Sequence, residues 1–236
     1  MRRKSKSAVL NERHDFPSLR PGRRGLIRML FGAAGTVALC PPGLLAEGIV
    51  LAQQGGFTAD ERRALEQGRL VPRPQPDVTG ERWIGGVSFQ VIERPPSVVW
   101  RAVQDVSAYR HMLPGQPTAR LDGHESGVSL VQFRHAAMGL EAGYWVRMRW
   151  NQVTRAMSFE LDPSRPHDIV AAYGFLEVRV YPRSPDRTLL TWGVRVRLGV
   201  GVLEEVFASD IETWLLRVPS TVKAYLEGRA GTMYTE

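Results

Sequence analysis

The chain has 236 residues, of which 43% are hydrophobic, and this suits a folded protein of one or two domains with a sizeable core. Its net charge is +7, but residues 1–52 carry nine Lys and Arg against three acidic residues, which leaves 22 basic and 21 acidic residues in the remainder. That near-neutral remainder lacks the basic surface that binds nucleic acid, so we expect no nucleic-acid partner. Cys40 is the only cysteine, so an internal disulfide is excluded and no cysteine after residue 52 can bind a metal.

Residues 1–52 have the features of an export signal. A basic stretch that includes Arg23 and Arg24 precedes an apolar run over 29–39 that is rich in Gly and Ala. The run is too short to span a bilayer comfortably. The paired arginines and the weak hydrophobicity resemble a twin-arginine signal, so we expect export to the periplasm or the medium and no stable membrane span after processing.

Two features of this segment depart from the usual twin-arginine pattern. Pro21-Gly22 stands where Ser or Thr is usual before the pair, and Leu26 stands where Phe is common. Small residues favour cleavage after Ala52, with Ala46 as the alternative. The other interpretations are an uncleaved N-terminal anchor, a mis-assigned start, or a lipid attached to Cys40, although Leu39 before that cysteine is larger than such attachment prefers.

A short helix and a proline-rich linker are predicted over residues 53–80. Thr58 and Glu61 have the spacing of a capping box, in which each side chain bonds the backbone N–H of the other residue, and the helix should run to about Gly68. We expect this helix to pack on the following domain rather than to act as a lid. Three prolines at alternate positions then favour an extended linker: Pro72, Pro74 and Pro76.

Residues 81–230 are predicted to form the main domain, followed by a tail over 231–236. Its first strand, Trp83–Ile92, should turn Val87, Phe89 and Val91 towards the core. Two short helices follow, the first capped by Ser97 and the second running from Asp105 to Pro114-Gly115. Further runs of alternating apolar residues with turn signals between them predict six strands, at 118–122, 128–135, 143–151, 156–161, 169–181 and 190–198.

The C-terminal part of the domain is predicted to be one long amphipathic helix. Apolar residues recur at steps of three and four between Leu203 and Leu226, after a tight turn that contains Gly199 and Gly201. Pro219 should kink this helix, because it removes one backbone hydrogen bond. A long apolar helix among many strands needs a curved sheet to pack against, which predicts an α+β fold with an antiparallel sheet of about six to seven strands.

This order of elements, together with two short motifs, resembles the START-like superfamily, also called SRPBCC or Bet v 1-like. The motifs are Pro95–Trp100, at the start of the first short helix, and Asp105–Pro114, in the second. The similarity extends over about Trp83 to Gly228, and within the superfamily it is strongest to the polyketide cyclase/dehydrase and coenzyme-Q-binding START-type proteins. The resemblance implies a helix-grip fold, in which the curved sheet wraps the long C-terminal helix.

The same resemblance implies a tunnel between sheet and helix that binds an apolar small molecule such as a lipid, quinone, sterol or polyketide-like compound. Large apolar side chains that should converge on it from both sides are the candidate ligand-binding residues: Phe89, Tyr109, Met112, Tyr144, Met148, Phe159, Trp192, Phe207, Ile211 and Trp214. A solid core would use the same residue types, so a filled interior stays open as the alternative.

No catalytic set or metal site is predicted. His111, His124, His135 and His167 are scattered without metal-ligand spacing, and we expect neither a metal nor a cofactor. No nucleophile-elbow motif is present. If the protein were a cyclase or aromatase, His111, or less favourably His135, would steer a polar chain or move a proton at the mouth of the tunnel.

The sequence therefore favours a monomeric, non-enzymatic binder or carrier of an apolar molecule outside the cytoplasm. A cyclase or dehydratase that uses mouth residues is one alternative. A protein-interaction module is another, and it would use an arginine-rich outer face of the sheet made of Arg147, Arg149, Glu177, Arg179, Arg195 and Arg197.

Overall fold

The computed structural model describes residues 56–125, 127–137, 140–199 and 202–234, and of 137, 140 and 202–207 it describes the backbone only. The export signal over 1–52, its cleavage site and the turn at Gly201 lie outside the described residues. Within them no helix is both long enough and apolar enough to cross a membrane.

One curved, unclosed sheet of eight antiparallel strands forms the body of the domain in the described part of the chain. The strands lie in the spatial order β1-β2-β8-β7-β6-β5-β4-β3, so β1 and β3 are the edges. Their bounds are β1 Val71–Pro74, β2 Trp83–Ile92, β3 Thr118–Glu125, β4 Val128–Ala137, β5 Leu140–Asn151, β6 Ala156–Leu161, β7 Ala171–Tyr181 and β8 Ser184–Arg197.

Among the described residues, five α-helices accompany the sheet, and the two C-terminal ones pack against its inner face. Their bounds are α1 Ala59–Glu66, α2 Pro96–Gln104, α3 Tyr109–Met112, α4 Val202–Leu216 and α5 Val218–Glu227, with a single 3₁₀ turn at Val106–Ala108 between α2 and α3. The predicted α+β helix-grip fold is confirmed, with two short helices after the strand Trp83–Ile92. The predicted cap at Ser97 is wrong, because α2 begins at Pro96 after Pro95 and has no side-chain cap.

The predicted kink at Pro219 divides the C-terminal helix into α4 and α5. Pro219 has no N–H to donate to the carbonyl of Leu215, four residues earlier. Trp192, on β8, donates its indole N–H to that carbonyl at 3.0 Å. The helix break is therefore compensated from the sheet, because a buried carbonyl without a partner would be costly.

The segment before β2 belongs to the sheet and is not a free linker. Val71–Pro74 forms the eighth strand and pairs antiparallel with β2, which explains the larger strand number. The capping box of α1 is present, with Thr58 N–H donating to Glu61 at 2.8 Å and Glu61 N–H donating to Thr58 at 3.2 Å. Arg73 on β1 also binds Glu61, at 2.8 Å, so the helix is fastened to the new edge strand.

The prediction that Phe89 faces the helix side of the sheet is wrong. Phe89 packs on the opposite face with Val87, Val91 and Leu65, and its ring meets that of Phe57 edge-on at 4.9 Å. The apolar alternation in β2 is real, but α1 covers this outer face, and β1 extends the sheet beside β2. Because β2 is buried on both faces, its apolar row does not identify which face holds the main core.

Candidate ligand-binding cavity

A cavity of about 250 Å³ lies between the sheet and the C-terminal helices. Its walls come from α2, α3 and the loop after it, from strands β4 to β8, and from α4 and α5. Almost every lining side chain is apolar or aromatic. Of the described side chains that line it, His135 is the only basic one, and none is acidic.

The structure places eight of the ten predicted residues on the cavity wall, all except Phe89 and Phe207: Tyr109, Met112, Tyr144, Met148, Phe159, Trp192, Ile211 and Trp214. Phe89 belongs to the outer cluster described above. Phe207 lies in α4, but its side chain is outside the described residues. That these residues contact a ligand stays a prediction.

Phe133 on β4 also lines the cavity, although it was not among the residues predicted from the sequence. Phe133 is paired directly opposite Tyr144 in the register between β4 and β5, and the two rings stack at 5.6 Å. Tyr109 also stacks on Phe133, with the two ring centroids 6.0 Å apart. Since residues opposite each other in an antiparallel pair share a face, the inward assignment of Tyr144 would have identified Phe133 once the register was known.

The deep end of the cavity is formed by stacked aromatic rings. Phe159 and Trp192 lie nearly parallel with their centroids 5.2 Å apart. Gly174 on β7 makes room for this pair, because a Cβ at Gly174 would come within 2.4 Å of the Phe159 ring. The hollow is thus bounded by rings whose positions are set by their neighbours.

The half-buried wall residues mark the end at which the cavity approaches solvent. They come from the loop after α3, from the ends of β4, β5 and β8, and from α4: Leu113, Pro114, His135, Ala142, Tyr144, Leu198, Ile211 and Trp214. By contrast, Met157, Phe159 and Trp192 are buried at the deep end. The cavity therefore has a mouth and an apolar interior.

Two of the polar groups in the wall are already satisfied by backbone carbonyls. The Tyr109 hydroxyl donates to Val103 at 2.8 Å, and the Trp192 indole donates to Leu215 at 3.0 Å. Burial, with a smaller effect of the Asp105 charge, raises the pKa of Tyr109 above its ordinary value. Tyr109 is thus a structural donor and is poorly suited to move a proton at neutral pH.

His135 is different, because both of its ring nitrogens are shielded from solvent and have no hydrogen-bond partner among the described residues. Its ring lies parallel to that of Tyr144 at 5.6 Å, stacks on Phe133 at 6.0 Å, and meets Trp214 edge-on at 5.1 Å. Burial lowers the pKa of the His135 imidazole from its ordinary value of 6.5 to about 4, so the ring is neutral at neutral pH.

The other histidines lie away from the cavity. His111 stacks on Tyr225 at 5.7 Å and accepts a hydrogen bond from Arg110 at 3.1 Å, so the preference for His111 over His135 as the mouth residue is wrong. His124 and His167 bond Ser129 and the carbonyl of Ile169. In the part of the chain that the structure describes, no group of three His, Cys, Asp or Glu side chains is arranged to hold a metal.

The arginine-rich outer face is largely paired within the sheet. Arg147 binds Asp162 at 3.1 Å and Arg149 binds Glu160 at 2.9 Å. Arg195, which was expected to be exposed on this face, is buried and donates to the carbonyl of Gln75. Gln75 directly follows β1, so the segment before β2 supplies the partner that buries Arg195.

Comparison with known proteins identifies the fold. No family model and no curated protein matches this sequence. Among solved structures, the aromatase/cyclase Zhui from Streptomyces sp. R1128 superposes with a TM-score of 0.53 at 14% identity, covering 64% of this chain and 98% of that chain. The STAR-related lipid transfer protein from Xanthomonas axonopodis gives 0.51 at 12% identity, covering 66% of this chain and 98% of that chain.

A third structure, a protein from Thermus thermophilus, gives a TM-score of 0.53 at 14% identity, covering 65% of this chain and 99% of that chain. The chain has a START-like helix-grip fold. In this START-like domain the cavity lies where the resemblance implied it, between the sheet and the C-terminal helices. Identities this low show the fold alone, and the chemistry of the cavity determines which ligand it accepts.

Proposed function

We propose that this START-like domain binds an apolar small molecule in its cavity and acts as a carrier or binder rather than as an enzyme. The observation that carries the proposal is a hollow of about 250 Å³ with a nearly unbroken apolar wall. At roughly 24 cal/mol per Å³, leaving such a volume empty costs on the order of 6 kcal/mol. Since whole domains are stable by only about 5–15 kcal/mol, a hollow of this size is most readily explained by an occupant.

The size of the cavity limits the occupant. An apolar cavity of about 150 Å³ stays dry and accepts benzene, whereas pockets for drug-sized ligands span about 300–1,000 Å³. A cavity of about 250 Å³ falls between them and suits a two-ring molecule or a short chain. A sterol or a long-chain quinone would have to extend through the mouth.

Binding is favoured over catalysis because His135 has no partner that would prepare it for proton transfer. A general base is usually oriented by a second polar group. Among the described wall residues, none donates to or accepts from the His135 ring. The names of the similar structures, one an aromatase/cyclase and one a lipid transfer protein, are consistent with either activity. Export through residues 1–52 and a monomeric state remain parts of the proposal.

The test is to identify what co-purifies with the full chain, by native mass spectrometry and organic extraction, and to compare two variants. Ala172 lines the cavity and is buried, whereas its neighbour Ala171 is half-buried and does not line it. We expect Ala172→Phe to fill the hollow and abolish the co-purifying molecule. Ala171→Phe, on the same strand, should retain it at the wild-type ratio. Wild-type protein free of any apolar molecule, and unable to take up one added to it, would refute the proposal.

A further inference from the structure

The one shielded polar side chain without a partner in the described wall of the cavity lies at its mouth. His135 presents two shielded ring nitrogens without partners, while Tyr109 and Trp192 direct their donors to backbone carbonyls. A buried polar group without a hydrogen bond is costly, so such groups are rare in folded proteins. The imidazole is therefore a group that gains a hydrogen bond if a ligand uncovers one of its nitrogens.

The ring of His135 is held in one orientation by three aromatic neighbours. Tyr144 and Phe133 lie nearly parallel to it, and Trp214 from α4 meets it edge-on. Because protein atoms cover both ring nitrogens, a ligand oxygen reaches one of them only when Trp214 or the imidazole shifts, and the hydrogen bond gained offsets that shift. We propose that the ligand carries one uncharged oxygen, a hydroxyl or a carbonyl, and that this oxygen hydrogen-bonds His135. The inference rests on the function proposed above and names the chemistry of that ligand.

The charge of the wall decides against an ionised ligand group. A neutral imidazole offers one N–H donor and one acceptor nitrogen, which match a hydroxyl or a carbonyl. A carboxylate or phosphate would need a cation, and no Lys or Arg is among the described wall residues. Moving an unpaired ionised group into such a site is far more costly than moving a neutral one. Fatty-acid carboxylates are therefore disfavoured.

The position of His135 also gives the ligand a direction. His135, Tyr144 and Trp214 are half-buried at the mouth, whereas Phe159 and Trp192 close the deep end. A ligand bonded to His135 therefore has its oxygen at the mouth and its hydrocarbon part against the stacked rings. The flat faces of those rings suit a planar occupant.

Three probes with the same two-ring skeleton test this assignment by equilibrium dialysis at pH 7. The probes are 2-naphthol, 2-methylnaphthalene and 2-naphthoate, which present a hydroxyl, a methyl group and a carboxylate at the same position. We expect His135→Phe to weaken 2-naphthol binding roughly tenfold, since an uncompensated hydrogen bond is worth on the order of a factor of ten. It should leave 2-methylnaphthalene binding unchanged or stronger. His111→Phe, which removes an imidazole outside the cavity, should change none of the affinities.

The wild-type protein supplies a second measurement that does not depend on a variant. Addition of 2-naphthol should change the imidazole nitrogen resonances of His135 as a new hydrogen bond does, and 2-methylnaphthalene should not. Equal losses of 2-naphthol and 2-methylnaphthalene in His135→Phe, or 2-naphthoate as the tightest wild-type ligand, would overturn the assignment while the proposed function stands. Failure of all three probes to bind a wild-type protein that also retains no other apolar molecule would overturn both.

Discussion

At the scale of single residues, His135 is expected to lower the stability of the ligand-free protein. Its nitrogens have no partners among the described residues, and its pKa is lowered by burial, which disfavours the charged ring. A phenylalanine at the same place would keep the contacts with Phe133, Tyr144 and Trp214 and would remove the unsatisfied nitrogens. The residue is better explained by what it can bind than by what it contributes to the core.

We therefore predict that His135→Phe raises the free energy of unfolding of the ligand-free protein at pH 7, by about 1–2 kcal/mol. Urea denaturation of wild type and variant, both stripped of ligand, measures the difference. A loss of stability in the variant would show that the imidazole has a structural partner in solution.

The same residue should make stability depend on pH. Below pH 6.5 the unfolded chain binds a proton at this histidine, whereas the folded protein does so only near pH 4. Stability is thus fully present above pH 6.5 and falls as the pH drops to 4, by up to about 3 kcal/mol. Urea denaturation at pH 7 and pH 4.5 should show a smaller loss in His135→Phe than in wild type. Identical losses would contradict a neutral, buried ring.

At the scale of secondary-structure elements, β2 separates the two apolar regions of the domain. Phe89 lies on the face covered by α1, and Phe159 lies on β6 at the deep end of the cavity. Arg73 strengthens the outer cluster, since its guanidinium lies 5.0 Å from the Phe89 ring and also binds Glu61. The two phenylalanines therefore lie on opposite faces of the sheet.

Replacing each phenylalanine with alanine should show that Phe89 contributes to stability alone, whereas Phe159 also contributes to ligand binding. Phe89→Ala should destabilise the protein by about 3–5 kcal/mol, as expected for a buried aromatic residue, and leave 2-methylnaphthalene affinity unchanged. Phe159→Ala should alter that affinity, because it removes a ring from the cavity wall. Thermal unfolding and equilibrium dialysis measure the two effects. A change of affinity in Phe89→Ala of the same size as in Phe159→Ala would contradict the placement of Phe89.

These elements also show what the sequence could predict. The alternation in β5 and β6 placed Tyr144, Met148 and Phe159 on the cavity wall, because Arg147, Arg149, Ser158 and Glu160 mark the opposite face as mostly polar. It failed for Phe89, because burial on both faces of β2 depends on where α1 packs, and no local pattern shows that position. Alternating apolar residues identify the side of a strand that faces the core only where the residues on its other side are polar.

At the scale of the whole molecule, the sheet and the C-terminal helices are joined by a hydrogen bond at the helix break. Trp192 donates to the Leu215 carbonyl that Pro219 leaves without its helical partner. This coupling, like the volume of the cavity, follows from how distant elements fit together. Helical periodicity and the proline predicted the break, but no local pattern shows which residue compensates it.

A double-mutant cycle tests this coupling. Trp192→Phe keeps an aromatic ring but leaves the Leu215 carbonyl without a donor, at a cost of about 1–3 kcal/mol. In a Pro219→Ala background the restored backbone N–H can serve that carbonyl, so the same substitution should cost less. Urea denaturation of the four proteins gives the coupling energy. Additive effects of the two substitutions would show that the bond does not compensate the break.

The hollow between the sheet and the C-terminal helices has a mechanical consequence. Unfolding removes internal voids, so hydrostatic pressure favours the unfolded chain in proportion to the empty volume. A domain with about 250 Å³ of unfilled interior should be soft under compression and should unfold at modest pressure. An occupied cavity resists compression. The pressure at which half of the protein unfolds should therefore be higher when a molecule fills the space between the strands and the terminal helices.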